Sequence, residues 1–461
     1  AKPRIGLYGL AAAASSSAGG TTSRSGVDFS VPIFQGTSFF ATIHPDFSNV
    51  ETDQQTIAPT AFARLLNETR PFFTQGLQFY NSTPNCTDCP GTQLYTNSIP
   101  TPRDGYALEG QRGQFTYATF DAIGTGRNDT AQVLNYTSPG NKNFFTVQRN
   151  AVDMPGFKDD SYNVSFTHDN LSNLSEWIRY ANDYGTQVKD GTQAQRYEGG
   201  FNWYSPTSSL QFEMRKVGAY FLPYDGLIFH PDIAGYVVSA FKQINFARTS
   251  PFKTFQINAD LERFHAHDGA LNQTNNGVNF SLTMRNQLNV QASTGASYLL
   301  LRNGIFSPIN QQGLALTWDF NSATPTLVQF TTGRFGPGRL NSWTRSSTMR
   351  VGNRGSLLLE ADDTDQAMDN GARYVQWLER GAYAFSLGRD ESLALGVRRI
   401  IGYQPYLTNT SFASGWNLTA AYHRRTPFGE LYAAYGDASA FSTVPQFIVK
   451  LIRYVGADKG T

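Results

Sequence analysis

Hydrophobic and polar residues alternate with period 2 along most of this chain. In GVNFSLTMRN, Val278, Phe280, Leu282 and Met284 alternate with Asn279, Ser281, Thr283 and Arg285. In FQINADLE, Phe255, Ile257, Ala259 and Leu261 share one face. GLALTWDF puts Leu314, Leu316, Trp318 and Phe320 on one face, and WNLTAAYH does the same with Trp416, Leu418, Ala420 and Tyr422. AYAFSLGRDESLALGV reads as two strands around a tight turn at Gly388, Arg389 and Asp390. The pattern predicts an all-β chain of antiparallel strands.

Two architectures produce such alternation. A soluble sandwich buries its apolar face, whereas a transmembrane barrel turns that face to lipid and encloses the polar one. Three features select the barrel. Strand candidates run to about 9–11 residues, the length that crosses a bilayer at a tilt. Aromatic residues gather near pattern ends, as at Phe201 to Tyr204 and at Tyr403 and Tyr406, where interfacial girdles lie. Short turns such as GRDES alternate with polar stretches read as long loops, HDGALNQTNNG (267–277) among them. At about 18 residues per strand and connection, the chain outside one polar insert predicts roughly 22–26 strands.

Composition narrows the reading. The 37 basic and 36 acidic residues nearly cancel, so nucleic acid is not an expected partner. No apolar run reaches the roughly 18 residues of a membrane helix. The first residues, AKPRIGLYGL, lack a signal-peptide pattern, which reads as a cytosolic chain or a mature product. Cys86 and Cys89 form a lone CxxC, read as a disulfide or two free thiols in a loop rather than a zinc site, which needs about four ligands.

One segment breaks the rhythm. Residues 1–46 read as the first barrel strands, 47–81 as an insert, and 82–461 as the rest of the barrel with its loops. From Ala58 to Leu66 the insert has helix character, with Phe62, Leu65 and Leu66 on one face. Arg70-Pro71 forces an extended exit. The stretch carries Asp46, Glu51, Asp53, Glu68 and Arg70. A charge at the bilayer midplane costs a few kcal/mol, about 2–4 for a basic side chain. In a barrel this segment therefore belongs in the lumen or its mouth, as a plug or constriction of Asp46, Glu51, Asp53, Arg70, Phe72 and Phe73. Barrels above about twenty strands are typically plugged.

Pro45, Asp46, Phe47, Val50, Glu51, Asp53, Arg70, Pro71, Phe72, Phe73 and Gly76 also follow a recognisable signature. It resembles that of a bacterial outer-membrane β-barrel family of unknown function, whose members often carry a carbohydrate-binding-module-like sandwich before the barrel. This chain departs from it at His44, where asparagine is usual, and at Thr74-Gln75 before the glycine. The match covers about 45 residues. The chain starts at about the point where the barrel would begin, so no glycan-binding role is carried over. The resemblance implies the outer membrane and a barrel, with no activity attached.

Asp46, Glu51 and Asp53 are weak candidates for a structural Ca²⁺ site through carboxylate oxygens. The alternative is that they pair with Arg70 and lumen arginines. The acidic stretch 361–371 reads as a solvated loop without EF-hand spacing. His265 and His267 form His-Ala-His, which on a strand puts both rings on one face; a metal site would need further ligands such as His230 or His168, and a strand-end or loop role is the reading. No G-x-S-x-G, H-E-x-x-H or P-loop occurs, so no enzyme and no cofactor are expected. Asp260, Glu262, Arg285 and Asp319 are expected on a hydrated lumen wall. The reading is an outer-membrane channel or transporter, plugged or gated, or the membrane part of a surface assembly. Lipid, lipopolysaccharide and other envelope proteins are its expected partners. The rivals are an adhesive surface protein anchored by its barrel, and a soluble all-β carbohydrate-active enzyme.

Overall fold

A computed structural model of the chain describes residues 4–14, 21–45, 68, 70–80, 91–300, 306–402, 415–437 and 442–455. Twenty-four strands form one antiparallel sheet in which each strand pairs with the next, and the first, Arg4–Ala14, pairs with the last, Gln446–Val455. Ile5 stands opposite Val455, so the sheet closes into a cylinder and leaves no free edge. This is the all-β transmembrane barrel that the alternation predicts. The barrel strands run from 7 to 14 residues.

The closed sheet sorts side chains by parity. Outward positions carry Leu261, Phe280, Leu314, Leu395, Leu418 and Leu451, all exposed. Their neighbours in sequence, such as Asp260, Asn279 and Asn417, face in. A contiguous exposed apolar surface of this kind marks contact with a membrane. Trp343, Trp377 and Trp416 lie outward toward one end of the cylinder, Trp203 and Trp318 toward the other. Two girdles at the band's edges match the preference of indole for the membrane–water interface.

Both end strands point their termini to the same end, where the turns 35–36, 206–207 and 427–428 are tight. The longest connections lie at the opposite end, including 44–103, 184–194 and 218–232. In outer-membrane barrels the long connections face outward from the cell. The strand Thr37–Ile43 pairs directly with Asp104–Arg112, so everything between Ile43 and Asp104 is one excursion from the outward end.

Two stretches expected as loops are strands. The segment 267–277 falls mostly in the strand Leu271–Met284, and 361–371 mostly in Gly355–Met368. Both keep the ladder with polar side chains because they pass beyond the apolar band. There, outward Asp363 and Asp365 pair with Arg345 and Arg373, and Asn275 accepts a hydrogen bond from Ser297 at 2.6 Å.

Candidate functional site on the lumen wall

The inner faces of the strands Asp104–Arg112, Phe115–Ile123 and Asn128–Thr137 carry unusually small residues: Gly105, Ala107, Ala118, Ala122 and Ala131. Into this shallow wall the connection seats two aromatic rings. Phe72 lies over Gly105 so closely that a Cβ there would come within 2.7 Å of its ring. Phe73 is 1% exposed. Phe72, Phe73 and Phe120 make an edge-to-face triangle with centroid separations of 5.1, 5.6 and 6.1 Å, an arrangement favoured by the ring quadrupole. Tyr80 extends the cluster, and its hydroxyl donates to the Ala131 carbonyl at 3.0 Å. Gly76 turns the chain at φ 66°, where a Cβ would meet that of Ala118 at 2.7 Å; both conditions call for glycine.

Arg70 fixes the two arms of the connection to each other. Its Nε and Nη2 donate to both oxygens of Glu68 at 2.9 and 2.7 Å, and Nη1 donates to the Ile99 carbonyl at 2.7 Å. Nη2 also donates to the Thr96 carbonyl, and the guanidinium lies 4.2 Å from the Phe73 ring centre. Burial pushes the Glu68 carboxyl up, but the hydrogen bonds from Arg70 and Thr96 and the guanidinium charge outweigh it and hold the group below its ordinary value.

A second connection, 218–232, closes over the same wall. Gly91–Thr92 pairs with Leu227–Ile228, and the Tyr95 amide donates to the Asp225 carbonyl at 2.6 Å. Arg127 bridges Asp129 and Asp225 at 2.7 and 2.6 Å. The amides of Leu222 and Tyr224 donate to Asp183 and Asp159. Burial, and then the charge of Asp129, pushes the Asp225 carboxyl well above its usual range. Phe221 packs into an inner cluster with Val217, Ile233, Val237 and Phe264.

Further round the wall the lumen is charged. Arg179, Glu198 and Arg215 stand opposite one another across three strands. Glu198 lies 3.0 Å from Arg179, 2.6 Å from Arg196 and 3.4 Å from Arg215, while Arg215 also lies 2.7 Å from Glu213. Near the closing seam, Glu430 accepts hydrogen bonds from Tyr432 and Tyr454 at 2.6 Å each and contacts His423 at 2.9 Å. Between this group and the connection a crevice of about 370 Å³ remains open, lined by Phe72, Gln75, Thr42, Glu430, Tyr432 and Lys450. Elsewhere on the lumen wall, Gln256, Asn258, Asn279, Ser281 and Gln291 line a polar recess of about 340 Å³. Such a lumen can hydrate and hydrogen-bond a passing solute. Among the described residues no group of three or more His, Cys, Asp or Glu is arranged to hold a metal ion.

No family model matches the chain, and no curated protein matches it. Among solved structures, it is similar to the Pseudomonas aeruginosa ferric enterobactin receptor PfeA in complex with BCV-L6, with a TM-score of 0.51 and 9% identity over 99% of this chain and 82% of that one. The siderophore receptor PirA from the same organism gives 0.49 at 9% identity, covering 98% and 80%. The copper transporter OprC gives 0.48 at 10%, also covering 98% and 80%. At such identities the likeness concerns the fold. This chain is an outer-membrane β-barrel. The signature at residues 45–76 is thereby supported at the level of an outer-membrane barrel. The solved neighbours are named as receptors and transporters, whereas the family it resembles has no stated activity.

In this barrel, Arg70, Phe72 and Phe73 come together on the lumen wall as one unit. Asp46, Glu51, Asp53, Cys86, Cys89 and the expected helix Ala58–Leu66 lie outside the described residues. Asp260 and Glu262 face the lumen, Glu262 accepting from Gln273 at 2.9 Å. Arg285 and Asp319 do not, because both sit where a strand gives way to a turn at the termini end; Arg285 donates to the Ser250 and Ala247 carbonyls there. The Glu198 cluster escaped sequence reasoning, although charges alternating with aromatic or thioether side chains in QRYE and FEMRK signal it.

His267 sits in an outward turn, not on the strand ending at His265, and contacts Asp232 at 2.9 Å. Its hydrogen bond to that carboxylate, and then the charge, raise it above its ordinary value of about 6.5. The protonated ring thus favours the folded mouth. That contribution is complete below the ordinary value and is lost as pH rises through the raised one. A proton NMR titration should find His267 titrating above 6.5, and Asp232→Asn should return it toward that value. An unchanged midpoint in the variant would remove the pair from the account.

Proposed function

We propose that the barrel is a gated transporter for a polar solute and that the connection between Ile43 and Asp104 is its internal plug, with 47–81 at the centre. The observation that carries this reading is the seating of Phe72 and Phe73 on the glycine- and alanine-lined wall, locked by Arg70. Bulky rings seated on a wall shaved to receive them suit a segment that docks and can detach. The remaining crevice and recess supply polar side chains along the path. Asp46 stands at the entry to this insert and Glu51 and Asp53 within it, and we assign them to holding it through lumen basic groups. Opening then requires these contacts to be released. The solved neighbour PfeA is a ferric enterobactin receptor, which points in the same direction. No chemistry on the solute is part of this reading.

Vesicle swelling tests it. Proteoliposomes with the intact chain should swell slowly in isosmotic solutions of small sugars. Removal of residues 47–76 should raise the rate several-fold, with heat-modifiable mobility on a gel reporting that the cylinder still closes. Equal rates for two closed barrels would end the plug assignment.

A further inference from the structure

A concavity of about 940 Å³ lies on the outer wall rather than in the lumen. It follows two adjacent pairing rows. One runs Ala240, Ala259, Val278, Thr294, Gln312, Thr332. The other runs Leu261, Asn276, Ala296, Asn310, Arg334, Arg339. The row beneath carries the large Ile257, Phe280, Leu314, Phe330 and Trp343. Small side chains set above large ones make a trough in the lipid-facing surface, with a volume in the range of roughly 300–1,000 Å³ typical of ligand sites.

The trough is graded along its length. Its beginning is aliphatic, with Ala240, Ala259 and Leu261. Its end is polar and cationic. Arg334 and Arg339 are direct cross-strand partners on the outer face, at the outward end of their strands. Like charges directly opposite each other are unfavourable. Asp369 pairs with Arg334, while Arg339 has no ion pair among the described residues. An anion lying between the two guanidinia would relieve the repulsion, and guanidinium matches phosphate geometry.

We infer that this trough binds a phosphorylated, multiply acylated glycolipid of the outer leaflet, the lipid A class, with acyl chain along the alanine floor and phosphate at Arg334 and Arg339. The position at the outward end selects the outer leaflet, because an inner-leaflet phospholipid would present its phosphate at the opposite end of the cylinder. Thr294, Gln312 and Asn310, between the two ends, meet the polar linkage of such a lipid.

Native mass spectrometry of the full chain in detergent, with hexa-acylated lipid A and its dephosphorylated form as probes, tests the inference. The expected result is one retained lipid A, with the dephosphorylated form held about ten- to a hundredfold more weakly, as for losing charged hydrogen bonds. Arg339→Gln should weaken lipid A by a similar factor and leave the dephosphorylated form unchanged. Ala296→Trp, which fills the floor, should lower both, with heat-modifiable mobility confirming closed barrels. Equal binding of the two probes, or full lipid A binding by Arg339→Gln, would overturn the inference. A dimer of the intact chain that Ala296→Trp dissolves would also overturn it, since the trough would then seat a second copy.

Discussion

Glu198→Gln is expected to lower the stability of the folded barrel by about 3–5 kcal/mol, the cost of leaving buried charge uncompensated. Glu198 is the common partner of Arg179, Arg196 and Arg215, and its side chain and those of Arg196 and Arg215 are each 2% exposed. With the carboxylate gone, three guanidinia share one remaining acid, Glu213. Glutamine keeps the volume, so the loss is electrostatic. Urea unfolding from phospholipid vesicles should show an earlier midpoint. Arg196→Met combined with Glu198→Gln should recover part of the loss, because removing both members of a buried pair is far cheaper than removing one. An unshifted midpoint in the single variant would mean that water or another anion already balances the cluster.

Phe73→Ala is expected to act on the connection rather than on the cylinder. The ring is almost fully buried against Phe72, Phe120 and the Arg70 guanidinium. Its removal should cost about 3–5 kcal/mol of packing. That loss falls on the docking of one segment, so hydrogen exchange should quicken in 70–80 and 91–100 while the barrel ladder keeps its protection. Uniform loss of protection around the ladder would contradict a separately docked plug.

Much of the fold was legible because a closed sheet in lipid enforces period 2 without exception for helices or mixed layers. Val278, Phe280 and Leu282 announce their outward face directly. The polar strands 267–277 and 361–371 were misread because hydrophobicity reports lipid contact, not ladder pairing. Where a strand rises beyond the bilayer, Asn and Asp serve as well as Leu. In the lumen, the charge of the insert around Arg70 was visible, but its receptor was not. Gly105, Ala107 and Ala118 are ordinary small residues in sequence and become a seat only when three strands align them. Arg179, Glu198 and Arg215 meet for the same reason: they lie on three successive strands, and only the register set across the connection 184–194 and the turn 206–207 brings them opposite one another.

The claim that the connection covers the lumen wall is tested most directly by the accessibility of Ala118, which faces Gly76 inside the barrel. In a background with Cys86 and Cys89 replaced by serine, an Ala118→Cys thiol can be challenged with a water-soluble thiol reagent on the folded barrel. The account predicts slow labelling in the intact chain and at least tenfold faster labelling once residues 47–76 are removed. Equally fast labelling in both would contradict it.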